Sequence, residues 1–564
     1  MPFRFHGKLN IVRQVMSRFI IRILILFTGL SCYAQQSKPP NILFVISDDQ
    51  SFAHTSFAGS TFVNTPAFDR VAKNGIYFEN CIAGSPGCAP SRSSIVTGRY
   101  PWQNEQSGQH GSSWMKKYIP FVDVLEDVGY KVGRTGKGVD PFQYARNAQD
   151  SLWRKPNAAG PQYSNIRFKD AELKQMPGYA KGIDKADHVA NFKYFIEKEK
   201  GDKPFFFWFG SHEPHRPYEK DSYKRMGKKL EDVKVPGFLP DNDVIRGDML
   251  DYAVEIEWFD HQLGKMLDYL EEIGELENTI VIVTADNGKP FPGAKANAYE
   301  YGIHVPMAIS FPKEFQSGIR VEDPVSFVSL APTILEIAGG MAVAKEKMMP
   351  MTGKSFLKLL KSKKMHGTGD VEEYVFSGRE RHSSSRYKNW GYPQRAIRSK
   401  DFLMIWNMKP ERWPAGAPQK FSDRDTAQLL PYNGVTDAGY QGGIAFNDID
   451  ESPSKEYLML HADDKDVKPF YTLAVGKRPE YELFDIHNDP YCLHNLSGKP
   501  AYSKKEEKLK KALQDELEIT KDPRVVGPDK EVFDGYERYM NIRRFPEPSS
   551  TQKLNNKGHK FLDN

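Results

Sequence analysis

Three continuous apolar runs, at residues 41–47, 205–211 and 279–285, constrain the fold more than any other feature of this sequence. Each run is short, rich in β-branched or aromatic residues, and followed by polar residues at its carboxyl end. Such runs are typical of strands that are buried on both faces of a parallel sheet. In open α/β sheets the ligand cleft lies beyond the carboxyl ends of the strands, so the polar residues after these runs are expected to converge on one site.

Helical patterns between the runs indicate an α/β fold. Residues 251–272 carry one apolar stripe at helical spacing, and residues 327–338 form a second candidate helix. The 564 residues exceed one typical domain, and a charged, poorly patterned stretch at 358–373 suggests a boundary. The expected organisation is a signal peptide at 1–34, a catalytic domain at 35–365 and a smaller α+β domain with a polar tail at 366–564. The last of these contains candidate strands at 395–404 and 482–486 and a helix with Leu509, Leu513 and Leu517 at four-residue spacing.

The first 34 residues have the pattern of a secretory signal. They contain five basic residues and no acidic one, an apolar run at 19–30, and the small residue Ala34 before Gln35. The apolar run is shorter than the roughly 20 residues that a membrane span needs, so no permanent span is expected. Cleavage after Ala34 is favoured over a lipoprotein anchor at Cys32, and export to the periplasm or the medium follows in either case.

The net charge of +5 is due to this N-terminal segment. Without its five basic residues the chain has balanced charges, so it offers no overall positive field for nucleic acid. An anionic substrate is therefore expected to be held by local charges. The mature chain also keeps an odd number of cysteines, Cys81, Cys88 and Cys492, so at least one has no disulfide partner.

The segment C-A-P-S-R at residues 88–92 continues as S-S-I-V-T-G-R to residue 99. Pro90 suits the first turn of a helix, and a group just ahead of that turn meets unpaired N–H groups that favour an anion. The segment resembles the signature of the type I sulfatases of the alkaline phosphatase superfamily. That resemblance implies a large mixed, mainly parallel sheet flanked by helices, and sulfuric ester hydrolase activity. It also implies conversion of Cys88 to formylglycine by a formylglycine-generating enzyme, with Arg92 orienting this nucleophile.

Two of the apolar runs end in candidate metal ligands, Asp48 and Asp49 after the first and Asp286 and Asn287 after the third. Their oxygen atoms suit a hard cation such as calcium or magnesium. A single Asp after a strand is more often a turn or a cap, but two such pairs at converging strand ends favour a metal site. Resemblance to the D-D and D-N motifs of the family implies one calcium ion, with formylglycine at position 88 completing its ligands.

Three further residues stand in segments that resemble catalytic motifs of the family: Lys137 in T-G-K-G-V, His215 in S-H-E-P-H-R-P, and Lys295 ahead of a Y-E-x-G element. The resemblance implies that the lysines bind the sulfuryl group and that His215 protonates the leaving oxygen. His212 is a second candidate for substrate contact, with a place on the rim equally open. Val139 stands where many relatives have a histidine that helps to expel sulfate, and His110 is a guess for its replacement.

A charged cluster in the C-terminal part supplies the remaining candidates for substrate contact, Arg379, Arg381 and His382. Arginine recognises carboxylate and sulfate groups through paired hydrogen bonds, so an acidic polysaccharide would suit this cluster. A solvated charged loop explains the same pattern at least as well. The E-L-F-D and D-P segments at 482–485 and 489–490 resemble the C-terminal element of the family.

Together these features predict an exported sulfatase that acts on a sulfated polysaccharide or its oligosaccharides, such as ulvan, carrageenan or a glycosaminoglycan. The D-N-G-K-P-F-P-G-A-K segment is most similar in spacing to the heparan N-sulfatase (sulfamidase) branch, so an N-sulfoglucosamine sulfohydrolase is one alternative. A phosphoryl-transfer enzyme of the superfamily is disfavoured by Cys88 and by the all-oxygen ligand set. A non-catalytic glycan-binding homologue is supported only by Val139, and unmodified Cys88 in the mature protein would favour it.

Overall fold

The computed structural model describes residues 39–144, 156–362, 372–425 and 427–547. The expected signal peptide and Cys32 lie outside these residues. The described residues from Pro40 onward form one compact unit, and the boundary expected near residue 365 stays a prediction. Among the described residues, no helix has both the length and the apolar character needed to cross a bilayer.

An eight-stranded mixed sheet forms the centre of this unit. Its strands are β1 (Asn41–Ser47), β2 (Ile76–Ile82), β3 (Lys131–Gly136), β4 (Phe205–Gly210), β5 (Thr279–Ala285), β6 (His304–Ser310), β7 (Ile319–Val321) and β8 (Val325–Ser326). The strand order is β8-β2-β6-β5-β1-β4-β3, with β7 paired to β2. β1 runs parallel to both of its neighbours, whereas β6 is antiparallel to both of its own. The predicted mixed, mainly parallel sheet is confirmed.

Both faces of the sheet are covered, which explains why β1 is apolar throughout. Ile42, Phe44 and Ile46 pack in one core cluster, and Leu43 and Val45 pack in a second cluster on the opposite face. The α-helices of the described part are Pro66–Lys73, Cys88–Thr97, Phe121–Asp127, Asp170–Leu173, His188–Tyr194, Ser222–Arg225, Asp243–Glu272, Glu300–Ile303, Leu330–Ile337, Met341–Lys347, Leu357–Leu360, Pro453–Leu460, Lys468–Val475, Ser503–Ile519, Pro523–Val526 and Val532–Gly535. The helix predicted at 251–272 begins earlier, at Asp243, because the Asn242 side chain caps two backbone N–H groups there.

A second, four-stranded antiparallel sheet lies in the C-terminal half. Its strands are β9 (Val375–Arg379), β10 (Gln394–Arg398), β11 (Phe402–Asn407) and β12 (Tyr481–Asp485), in that order. The single strand expected at 395–404 is wrong, because the chain turns at Ser399 and returns as β11. Leu509, Leu513 and Leu517 pack on this sheet from one helix, as their spacing predicted.

Candidate active site

Two carboxylate-bearing turns meet at the carboxyl end of the main sheet. β1 and β5 are paired in register up to Ser47 and Ala285, so the residues after them lie side by side. The Asp49 backbone N–H donates to Asp286 Oδ1 at 3.0 Å, and Asn287 Nδ2 donates to Asp49 Oδ1 at 2.8 Å. The side chains of Asp48, Asp49, Asp286 and Asn287 are all buried. The sequence prediction that these strand ends converge holds in the geometry.

Cys88 lies against this group at the first position of the helix Cys88–Thr97. Its Sγ and one oxygen each of Asp48 and Asp286 lie within 4.8 Å of one another. Burial raises the pKa of the Cys88 thiol to about 11, although Lys137 opposes this shift. An unmodified thiol here is therefore protonated at neutral pH and is a poor nucleophile. The other two described cysteines, Cys81 and Cys492, are also buried and unpaired.

Three cationic side chains surround the carboxylates. Arg92 Nε donates to Asp286 Oδ2 at 2.6 Å, and Lys137 Nζ donates to Asp48 Oδ2 at 2.5 Å. Lys295 Nζ donates to Asp49 Oδ2 at 2.6 Å. Each predicted cation is thus bonded to one predicted metal ligand.

The carboxylates respond differently to this environment. Burial alone would raise the pKa of Asp48, but Lys137 and other nearby cations hold it well below its usual range. Burial raises the pKa of Asp49 to about 6, against the effect of Lys295. Burial, with the Asp48 charge adding to it, raises the pKa of Asp286 to about 7. The nearby cations therefore outweigh burial at Asp48 but do not offset it at Asp49 and Asp286.

Two unpartnered oxygen atoms in the cluster indicate that its donor set suits a metal ion. Among the described residues, Asp48 Oδ1 and Asn287 Oδ1 are buried and accept no hydrogen bond. Buried polar atoms are nearly always paired, so two orphaned oxygens in one cluster indicate a missing partner. Oxygen ligands of this kind fit a hard divalent cation. The residues present are thus suited to a metal ion, with Asp48, Asp49, Asp286 and Asn287 as the ones that would hold it.

The two histidines after β4 have different positions. His215 Nδ1 lies 2.6 Å from the Arg216 carbonyl oxygen, and its Nε2 lies 3.8 Å from Asp49 Oδ2. The bond at Nδ1 leaves Nε2 as the nitrogen that faces the cluster. His212 is instead half-exposed, with Nε2 3.8 Å from Asp184 Oδ2. The structure brings His215 into the site and leaves His212 on its rim.

The three candidates of the C-terminal charged cluster also differ in whether they lie at the site. Arg379 Nη2 donates to Asp448 Oδ2 at 2.6 Å, and Arg381 Nη1 donates to the Tyr536 carbonyl at 2.8 Å, so both guanidinium groups are held by protein atoms. His382 lies at the site, because a Cβ atom placed on Gly87 would be 3.0 Å from its Nδ1. The structure thus brings only His382 of these three candidates beside the start of the Cys88 helix.

Val139 replaces a histidine of many relatives, and His110 is the predicted substitute; the structure shows where both residues lie. Val139 itself is fully buried in the main apolar core. The His110 ring packs on the His382 ring with centroids 5.3 Å apart. Burial lowers the pKa of His110 well below its usual value, and the positive charge of Lys137 adds to this effect. His110 thus lies near the site, and its role as a replacement base stays a prediction.

Asp450 is a residue of the site that the sequence interpretation missed. Its Oδ2 accepts a hydrogen bond from Lys295 Nζ at 3.0 Å. The only local signal is the acidic segment N-D-I-D-E at 447–451, which resembles no motif considered above. Its partner is far away in the sequence, so the pairing is visible only in the fold.

Known proteins resemble this chain both in sequence and in structure. The profile described as "Sulfatase" matches residues 40–341, and the one described as "N-sulphoglucosamine sulphohydrolase, C-terminal" matches residues 294–413. An ulvan-active sulfatase of Formosa agariphila is 28% identical, over 84% of this chain and 74% of the relative. Human N-sulphoglucosamine sulphohydrolase is 26% identical, over 90% of this chain and 94% of the relative. A solved complex with D-glucosamine-2-N,6-O-disulfate shares the fold, with a TM-score of 0.57 and 20% identity over 88% of this chain and 99% of the other.

Proposed function

The chain belongs to the sulfatase family, and from this premise we propose that it is an exported enzyme that hydrolyses sulfate esters on a sulfated polysaccharide or its oligosaccharides. Membership of the family makes the protein a sulfuric ester hydrolase. We propose the substrate class and the export in addition. One observation supports the proposal most strongly. Four groups meet at the carboxyl end of the main sheet: the Cys88 thiol, the carboxylates of Asp48 and Asp286, and the Lys137 ammonium. Sulfate ester hydrolysis requires a nucleophile, a cation and an anion-binding charge in one place.

The proposed metal ion is calcium, held by Asp48, Asp49, Asp286 and Asn287 at the site described above. A formylglycine-generating enzyme is proposed to convert Cys88 to formylglycine. When present, the formylglycine would supply a hydrated aldehyde as nucleophile, and the calcium ion would supply a Lewis acid. Every other task falls to side chains of this chain.

Lys137 and Lys295 are proposed to bind the negatively charged sulfuryl oxygens. On binding, Lys137 leaves Asp48 and Lys295 leaves Asp49, while Lys295 keeps its bond to Asp450. Arg92 holds Asp286 in place through the bond at Nε and is itself fixed by the carbonyl oxygens of Lys137 and Gly138, at 3.2 and 3.0 Å. His215 donates Nδ1–H to the Arg216 carbonyl, so Nε2 faces the leaving oxygen and has a proton to give it in the imidazolium form.

The substrate class is supported by the relatives. One is described as ulvan-active and another as an N-sulphoglucosamine sulphohydrolase, and both act on sulfated carbohydrates by those descriptions. A second candidate function, cleavage of an N-sulfate, is favoured by the match of residues 294–413 to the C-terminal profile of that enzyme. The N-terminal basic and apolar pattern supports export.

The test combines mass analysis with sulfate release. The exported protein, co-expressed with a formylglycine-generating enzyme, is expected to lose about 18 Da at Cys88 as thiol becomes aldehyde. It is then assayed on O-sulfated and N-sulfated saccharides and on phosphate monoesters, with Cys88→Ala as control. Sulfate release that disappears in the control supports the proposal. An unmodified thiol with no sulfate released would contradict it and favour a glycan-binding role, and release of phosphate alone would favour the phosphoryl-transfer alternative.

A further inference from the structure

Asp450, a carboxylate of the C-terminal half, reaches the carboxylate cluster at the carboxyl end of the main sheet. Asp450 Oδ2 accepts a hydrogen bond from Lys295 Nζ, the same ammonium that bonds to Asp49. The Asp450 side chain keeps 28% of its surface exposed, whereas the Lys295 side chain keeps 4%. Within the described residues, no hydrogen bond reaches Asp450 Oδ1. One carboxylate oxygen therefore holds Lys295, and the other retains its capacity to accept a bond from a ligand.

The loop that carries Asp450 is fixed on both sides of it. Before it, Asp448 Oδ2 accepts hydrogen bonds from Arg379 and Arg386, both at 2.6 Å, and these arginines are buried. After it, Lys455 Nζ donates to the carbonyl oxygen of the residue before Asp450 at 3.0 Å. A carboxylate held by such a framework is positioned for recognition, because little freedom is left to lose when a ligand binds.

We propose that Asp450 determines substrate specificity by accepting, through Oδ1, a hydrogen bond from a hydroxyl on the sugar carbon next to the sulfated one. The inference rests on the proposed function and narrows its substrate class to sulfated sugar units with a free hydroxyl beside the sulfate. Lys295 is the link, since the ammonium proposed to bind a sulfuryl oxygen is bonded to Asp450. A substituent on the neighbouring carbon then lies beside the carboxylate. A second sulfate at that place meets a negative charge and is rejected.

The test compares two substrates in two proteins. The substrates are the best saccharide from the sulfate-release panel and its deoxy analogue, in which hydrogen replaces the hydroxyl beside the sulfate. A hydrogen bond to a charged acceptor predicts a preference for the hydroxyl substrate of about 10- to 100-fold in kcat/KM. In Asp450→Ala this preference is expected to fall to about twofold or less. Both rates drop in the variant because Lys295 loses a partner, so the ratio is the quantity that reports on the sugar contact.

The matched control is Glu456→Gln, which removes an exposed carboxylate six residues further on and keeps the wild-type preference. Equal preference in wild type and Asp450→Ala overturns the proposal. Binding of both saccharides to Cys88→Ser protein, measured by calorimetry, must show the same pattern in the ratio of Kd values. Asp450→Leu, which has no hydrogen-bond acceptor and a similar size, replaces the alanine variant if the latter does not fold. Absence of sulfate release from every saccharide contradicts the proposed function instead, so the two failures are distinguishable.

Discussion

The molecule contains two kinds of buried charge, and they differ in how completely they are paired. In the C-terminal half, Arg395 binds Asp522 at 2.5 Å and Glu380 at 2.6 Å, and Arg524 binds Glu380 at 2.8 Å. All four carboxylate oxygens of Asp522 and Glu380 accept hydrogen bonds. At the end of the main sheet, by contrast, Asp48 Oδ1, Arg92 Nη2 and Asn287 Oδ1 have no hydrogen-bond partner among the described residues.

The arginines of the two regions behave alike, since their carboxylate partners outweigh burial and raise the pKa of both Arg395 and Arg92. The incomplete pairing shows in two carboxylates. In the cluster at the sheet end, burial leaves Asp49 and Asp286 with pKa values raised to about 6 and about 7. A closed network stabilises the fold, whereas an open one keeps atoms free for a cation and a substrate. The distinction predicts opposite results for the same substitution in the two places.

The largest effect is expected for Asp286→Asn. Sulfate release should fall about 10²- to 10³-fold, because a charged group of the proposed reaction centre is lost. The free energy of unfolding, measured in chelator, should change by less than about 1 kcal/mol, since the amide relieves repulsion from Asp48 while Arg92 loses one ionic partner. Denaturant titration and a sulfate assay check both parts. A large loss of stability would remove the contrast between the two regions.

Asp522→Asn is the matched substitution in the closed network. Asp522 is as buried as Asp286 and likewise bonds to an arginine Nε. In the variant, Arg395 Nε and the Arg524 backbone N–H stay buried and lose their charged acceptor. The free energy of unfolding should fall by about 3–5 kcal/mol. Sulfate release per folded molecule should stay within about twofold of wild type. A variant that unfolds normally but is inactive would place this network in the reaction.

A divalent cation should stabilise only through the open cluster. Calcium at 100 times its Kd is expected to add about 2.7 kcal/mol to the free energy of unfolding. The shift should disappear in Asp48→Asn, which loses a proposed ligand, and persist in Asp522→Asn, which loses none. Thermal unfolding with and without calcium, after treatment with chelator, measures it. Equal shifts in both variants would argue against the assigned ligands.

A smaller, pH-dependent effect is expected at Glu300, a fully paired carboxylate bonded to Arg398 and His304. Burial opposes the charge of Glu300, but Arg398 and His304 hold its pKa well below the ordinary 4.5. A lowered folded pKa means that the carboxylate stabilises the fold above pH 4.5 and that this contribution is lost as pH falls below it. Glu300→Gln should lower the free energy of unfolding by about 2 kcal/mol at pH 6. The difference from wild type should shrink below pH 4.5; a difference constant from pH 6 to 3 would contradict the assignment.

The sequence predicted the open cluster better than the buried ion pairs of the C-terminal half, for a physical reason. Asp48 and Asp286 could be placed together because parallel apolar strands align their carboxyl ends whatever their separation in the chain. Arg379 could not be assigned, because its partner Asp448 comes from a loop with no periodic pattern, and an arginine that binds substrate has the same local sequence as one that binds an aspartate. Asp450 was missed for the same reason. The pairing of Lys295 with it depends on how the C-terminal half packs.

The position of β1 has a consequence for how the chain reaches this state. It is the first strand of the sheet, yet its two neighbours are β4 and β5, and Ser47 pairs in register with Ala285. Contacts that span so much of the chain close slowly, since the loop entropy must be overcome before the contact forms. During synthesis β1 therefore stays unpaired until the residues of β4 emerge, and its second edge stays open until those of β5 follow. Over that time it is an apolar segment exposed to aggregation.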